Sequence, residues 1–170
     1  MAKVEAAGSA VGAGSGARAE ALLVAFAARR ALDRGIGLGY IEGLLTQRFG
    51  ETQPRAVASI IAAARKPVTL DQLQGDLAAI APELEGTVPD EDWWSEFKHG
   101  LGSIFVVRQA GTAPVDPQSR IERATRQVEE GRVDLALAEI SRLPNRARAS
   151  GWIAMARRYV DSHHALDLLE

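Results

Sequence analysis

Apolar residues recur at helical spacing through almost the whole chain, and this periodicity limits what it can fold into more than any other feature. Leu22, Phe26, Arg29 and Asp33 trace one line, with Leu23 and Arg30 beside it, until Gly35 ends the run. Ile41, Leu44, Leu45 and Phe49 mark one apolar face, and Gly50 stands where a left-handed cap closes a helix. After Pro54, which suits a first helical turn, Val57, Ile60, Ile61 and Ala64 repeat the pattern. Thr69 and Gln72 read as a capping box opening a helix lined by Leu70, Leu73, Leu77 and Ile80. Ile104-Phe105-Val106-Val107 is the one strand-like run, and it ends an amphipathic segment. The expected class is therefore all-α: a helical bundle.

The last third reads most clearly. Asp116 caps and Pro117 starts a helix carrying Ile121, Ala124 and Val128, which Gly131 breaks. Val133, Ala136, Leu137, Ile140 and Leu143 form a second stripe, ended by Pro144. Asn145 is placed to cap a final helix whose inward side carries Ala149, Trp152, Ile153, Ala156, Tyr159, Val160, His163 and Leu166. The small residues Ala124, Ala136 and Ala156 allow close approach of helix axes. The arrangement predicts a tetratricopeptide-like helical hairpin at the C-terminus rather than a repeat array. The predicted core there is Ile121, Ala124, Val128, Leu137, Ile140, Trp152 and Ile153.

Composition removes several function classes. Without cysteine, disulfide scaffolds, zinc ribbons and thiol catalysis are excluded. A net charge of -2 leaves attraction to nucleic acid or anionic lipid to local patches. No apolar run reaches the roughly 18 residues of a bilayer span. Met1 to Gly16 lacks the apolar core of a signal peptide. Gly8 to Gly16 is Gly, Ala and Ser apart from Val11, the composition of a tether, so residues 1–17 are read as a flexible arm. Gly12, Gly14 and Ala17 mimic part of a dinucleotide fingerprint, but the strand it requires is missing ahead of them.

No nucleophile with a base, phosphate loop or metal set emerges, so the chain reads as non-catalytic, with no cofactor and no metal. His163 and His164 are adjacent and diverge by about 100° on a helix, which prevents joint chelation. The acidic run Asp90-Glu91-Asp92 reads as a helix start. Over residues 116–170 arginines and acidic residues are equal in number, which argues for salt-bridged faces and against a nucleic-acid surface. Arg146 and Arg148, with Arg157 and Arg158, form a candidate patch for a partner or for lipid headgroups.

Trp93 to Arg108 is the other candidate site. Trp94, Phe97, Leu101, Ile104 and Phe105 share a helical face, with Ser95, Glu96, Lys98 and His99 elsewhere, and Trp93, Lys98 and Arg108 are included in the candidate site. Paired indoles suit a membrane interface, and equally a protein core or dimer interface. Glu91, Asp92 and Glu96 outnumber the nearby cations, which works against anionic lipid. Both readings, lipid contact and protein interface, follow from these residues.

The last third also resembles the mitofilin family, of alphaproteobacterial type. Ile121-Glu122-Arg123-Ala124 and Val128-Glu129-Glu130-Gly131-Arg132-Val133-Asp134-Leu135-Ala136 are similar to its C-terminal signature. Leu143, Ala147, Trp152-Ile153 and Ala156-Arg157 continue it in order. Arg132-Val133-Asp134 departs from the usual acidic residue directly after Gly131. The specific match covers about residues 117–170, and Arg18 to Ala81 is similar more weakly to the helical region before the signature. The resemblance implies a scaffold that oligomerises and organises the inner membrane, as at crista junctions. It also implies a place on the periplasmic face of the bacterial inner membrane, and envelope or outer-membrane partner proteins. It places an amphipathic lipid-binding helix where Trp93–Arg108 lies. The expected divisions are a tether at 1–17, a helical region at 18–88, the amphipathic helix and linker at 89–115, and the signature hairpin bundle at 116–170. The rival expectation is a tetratricopeptide-like adaptor that binds protein only, through Tyr40, Phe49 and the arginine faces. An accessory role in tetrapyrrole synthesis has no support in these residues.

Overall fold

The computed structural model describes the backbone of residues 2–85 and 116–170, and the side chains of residues 16–84 and 116–170. Among these, all regular structure is helical: α1 (Ala2–Asp33), α2 (Ile41–Phe49), α3 (Pro54–Ala64), α4 (Leu70–Glu85), α5 (Pro117–Glu129), α6 (Val133–Ser141), a 3-10 turn (Arg146–Ala149) and α7 (Ser150–Asp167). The chain forms two compact units, Met1–Thr69 with Arg157–Glu170, and Leu70–Ala156. Helix α4 belongs with α5 and α6, while the end of α7 belongs with α1 to α3.

In the first unit, α1 turns Val24, Ala25, Ala28, Ala31 and Leu32 inward. Alanines on this stripe allow near approach to α2 and α3, since the distance between packed helices follows side-chain size. Leu45, Ile60 and Leu166 have no exposed surface, and burial of each contributes about 1.5–3 kcal/mol. Ile41, Leu44, Phe49 and Ile61 close the edges of this core. Phe26 and Leu23 face outward, at 52% and 68% exposure. The line through Leu22 and Phe26 is thus beside the packed face and not at its centre, because the small residues fit where the large ones do not.

The backbone of 8–16 is helical and continues into α1, in place of the expected coil. Ala2, Ala6, Ala7, Ala10 and Ala13 supply helix propensity that offsets the glycines.

The second unit packs α4 on α5, and α5 on α6. Its interior holds Leu73, Leu77 and Leu84 of α4, Ile121, Ala124 and Val128 of α5, and Val133, Ala136 and Ile140 of α6. Leu143, Ala149, Trp152 and Ala156 complete it. Leu137 and Ile153, expected in the core, are only half-buried. Gly131 joins α5 to α6 with φ of +76°, a left-handed conformation that glycine adopts without cost. The Gly131 amide donates to Val128 O at 2.9 Å and the Arg132 amide to Gln127 O at 2.7 Å, a paired closure that ends α5.

Three local expectations are corrected. Gly50 is right-handed, with φ of -60°; a Cβ there would overlap the Thr46 carbonyl oxygen, so proximity and not handedness selects glycine. Asp116 stands before α5 but makes no side-chain capping bond. Asn145 does not cap a following α-helix with its side chain. Its Nδ2 instead donates to Leu84 O at 2.6 Å, serving the carbonyl end of α4.

Candidate functional site

The two units carry different polar constellations. In the first, α1 and the end of α7 exchange charges in a crossed pattern. Arg29 Nη2 lies 2.6 Å from Asp167 Oδ1, and Arg29 Nε lies 2.7 Å from Glu170 Oε1. One turn further along α1, Asp33 Oδ1 is 2.9 Å from His163 Nε2. The earlier residue of α1 thus meets the later residues of α7, so the two segments run antiparallel.

His163 is held from both sides. Its Nδ1 is 2.8 Å from the Tyr159 carbonyl oxygen, and its ring stacks on Tyr159 at 3.9 Å between centroids. Burial pushes the Tyr159 phenol above its ordinary value; the Asp33 carboxylate adds to this and Arg29 opposes it. For Arg29, burial acts to lower the guanidinium value, but the bonds to Glu170 and Asp167 outweigh it and raise it. The helical spacing of Arg29 to Asp33 and of His163 to Asp167 was the available sequence signal for this node; their pairing across 130 and 138 residues was not legible.

In the second unit the arginines of α5 converge on α6. Glu139 Oε2 receives Arg120 Nη1 at 2.8 Å and Arg123 Nη2 at 3.3 Å. Burial would raise the Glu139 carboxyl, yet the bonds from Arg123 and Arg120 prevail and hold it below the ordinary range. Beyond this pair, Arg123, Arg126, Gln127, Glu130 and Arg132 line a cleft of about 230 Å³ beside the Gly131 turn. Arg132 pairs with Glu130 at its rim. Arg126 is exposed and makes no ion pair among the described residues.

Of the four arginines of the expected patch, Arg146 and Arg148 lie within the 3-10 turn of the second unit, and Arg157 and Arg158 belong to the first. Arg148 donates to Glu83 O and Arg158 to Lys66 O, both at 3.4 Å, so each serves a carbonyl within its own unit. The Trp93, Trp94, Phe97, Lys98, Leu101, Ile104, Phe105 and Arg108 site, and the run at 90–92, lie outside the described residues. Tyr40 is 82% exposed, and Phe49 is half-buried. Trp152 is 2% exposed, with Nε1 donating to Leu73 O at 2.9 Å.

Among the described residues, no group of three His, Asp or Glu side chains is placed to hold a metal ion. No described helix is long and apolar enough to cross a membrane. What these surfaces offer chemically is ion pairing and hydrogen bonding. The chain matches no model of a known family, no characterised protein and no solved structure.

Proposed function

We propose that this chain is the helical interaction module of a mitofilin-like membrane-organising scaffold, non-catalytic and self-associating. It works at the periplasmic face of the inner membrane, through contact with lipid and with envelope partner proteins. The observation that carries this reading is the role of the residues on which the resemblance rests. Ile121, Ala124, Val128, Val133, Ala136, Leu143, Trp152 and Ala156 are all buried in one unit, so the motif encodes a packed hairpin and leaves the polar faces for partners. A motif made of core positions and a glycine turn is a fold signature, and a scaffold needs little more than a stable fold with reactive faces.

A protein-only adaptor of tetratricopeptide-like type is the second reading. It draws support from exposed apolar side chains of the first unit, Leu23 and Tyr40 among them, at 68% and 82% exposure. Co-sedimentation with anionic liposomes, alongside light scattering for mass, separates the two. Binding lost on exchanging Trp94 and Phe97 for polar residues supports the membrane-organising reading. A stable dimer that ignores liposomes moves the function to the adaptor.

A further inference from the structure

We infer that the cleft beside the Gly131 turn binds a carboxylate-bearing peptide segment of a partner protein. This rests on the chain being an interaction module but not on its touching lipid. The turn builds the cleft. Left-handed Gly131 folds Arg132 back so that its amide bonds Gln127 O at 2.7 Å, which sets Arg132 beside the last turns of α5. Arg123 and Arg126 project from those turns, so three guanidinium groups surround a space lined by one carboxylate, Glu130.

The guanidinium groups are unequally satisfied. Arg123 shares Glu139 with Arg120 and holds the longer contact, 3.3 Å against 2.8 Å. Arg132 is spent on Glu130 in exposed surroundings, where such a pair is worth at most about 1 kcal/mol and exchanges readily. Arg126 has no ion-pair partner among the described residues. An incoming carboxylate therefore meets one unpaired guanidinium and two that can be recruited, with the forked geometry that suits carboxylate oxygens.

Two further observations set the ligand class. Gln127 Oε1 is buried without a hydrogen-bond partner, and a buried acceptor left unpaired is costly. A free carboxylate brings acceptors only and phosphate at most one or two hydroxyl donors, whereas a peptide carries carboxylate acceptors and backbone N–H donors on one chain. The volume of about 230 Å³ is below the range of about 300–1,000 Å³ usual for small-molecule pockets, so it takes a side chain or two of a longer segment.

The test is an NMR titration of the full chain with N-acetylated, C-amidated tetraglutamate, and separately with inorganic phosphate at matched ionic strength. The expected result is saturable shifts of the Arg126 Nε and Gln127 side-chain amide resonances with tetraglutamate only. Arg126→Glu should weaken this binding at least about tenfold, while Arg34→Glu, an exposed arginine of the other unit, leaves it unchanged. Gln127→Leu, which removes the acceptor, should weaken it as well. Absence of saturable shifts overturns the site, leaving the arginines as complements to the C-terminal carbonyls of α5. So does Arg126→Glu binding as wild type, and equal saturation by phosphate overturns the peptide assignment. Liposome sedimentation of the wild-type chain is run in parallel: absence of the peptide signal in wild type sinks this inference alone, and absence of liposome binding in wild type sinks only the membrane reading.

Discussion

The indole nitrogen of Trp152 donates to the backbone carbonyl of Leu73 across 2.9 Å, tying α7 to α4 inside the second unit. The two residues are 79 positions apart, so the bond closes a long loop of chain and fixes where the tryptophan ring lies. Replacing Trp152 with Ala should destabilise the unit by about 3–5 kcal/mol, through lost transfer energy and a residual cavity. Trp152→Phe keeps most of the buried ring and loses the bond, so about 1–2 kcal/mol is expected. Urea denaturation of both variants checks the order; equal losses would mean the hydrogen bond carries the effect.

Glu139 should shape the acid limb of stability. Its folded carboxyl is held below the ordinary range, against burial, by Arg123 and Arg120. The unfolded chain therefore binds this proton first as pH falls, and the stabilisation present above the ordinary carboxylate range is lost as pH drops through the folded value. Glu139→Gln should lower stability at neutral pH by about 1 kcal/mol and flatten the slope of stability against pH in the acid range. Denaturation midpoints from neutral to acid pH decide it; parallel curves for the two proteins would refute the assignment.

Arg29 anchors the end of α7 through Asp167 and Glu170. Arg29→Met retains the apolar stem and should cost about 1 kcal/mol, with the end of α7 loosened first. High salt should narrow the gap between the two proteins, since these partly exposed pairs are screened. Hydrogen exchange of the amides around His163 to Leu166 gives the readout; faster exchange confined to another element would place the anchor elsewhere.

Two glycine substitutions should move stability in opposite directions. Nothing lies within 4 Å of a Cβ built on Gly131, but its φ of +76° strains any other residue, so Gly131→Ala should cost about 1–2 kcal/mol. Gly43 lies inside α2 with equally open space and ordinary helical backbone, and Gly43→Ala should stabilise by about 0.5–1 kcal/mol. Thermal melts of the pair test whether backbone conformation or free space governs these sites.

Much of the helical architecture was legible because local rules suffice for it. The apolar spacing of Ile41, Leu44, Leu45 and Phe49 marks one helix, and Pro117 with Gly131 brackets another. The inward face of α1 was harder to read, because its alanines carry little hydrophobic signal and Leu23 and Phe26 carry more while facing outward. Asn145 read as a cap for the helix after it, yet it serves Leu84 O on α4. A side-chain amide can satisfy either end equally well, and only the neighbour that folding brings near settles the matter.

For the described residues the sequence by itself determined helical structure, because periodicity, proline and glycine act within a few residues. Tertiary structure alone decided which helices share a core: α4 with α5 and α6, and the end of α7 with α1, α2 and α3. It also decided which charges are paired, Arg29 to Asp167 and His163 to Asp33, and which cluster around a cleft, Arg123, Arg126 and Arg132. The physical reason is range. Helix formation is governed by neighbours in sequence, whereas pairing and exposure depend on contacts between segments far apart along the chain, whose identity no local pattern specifies.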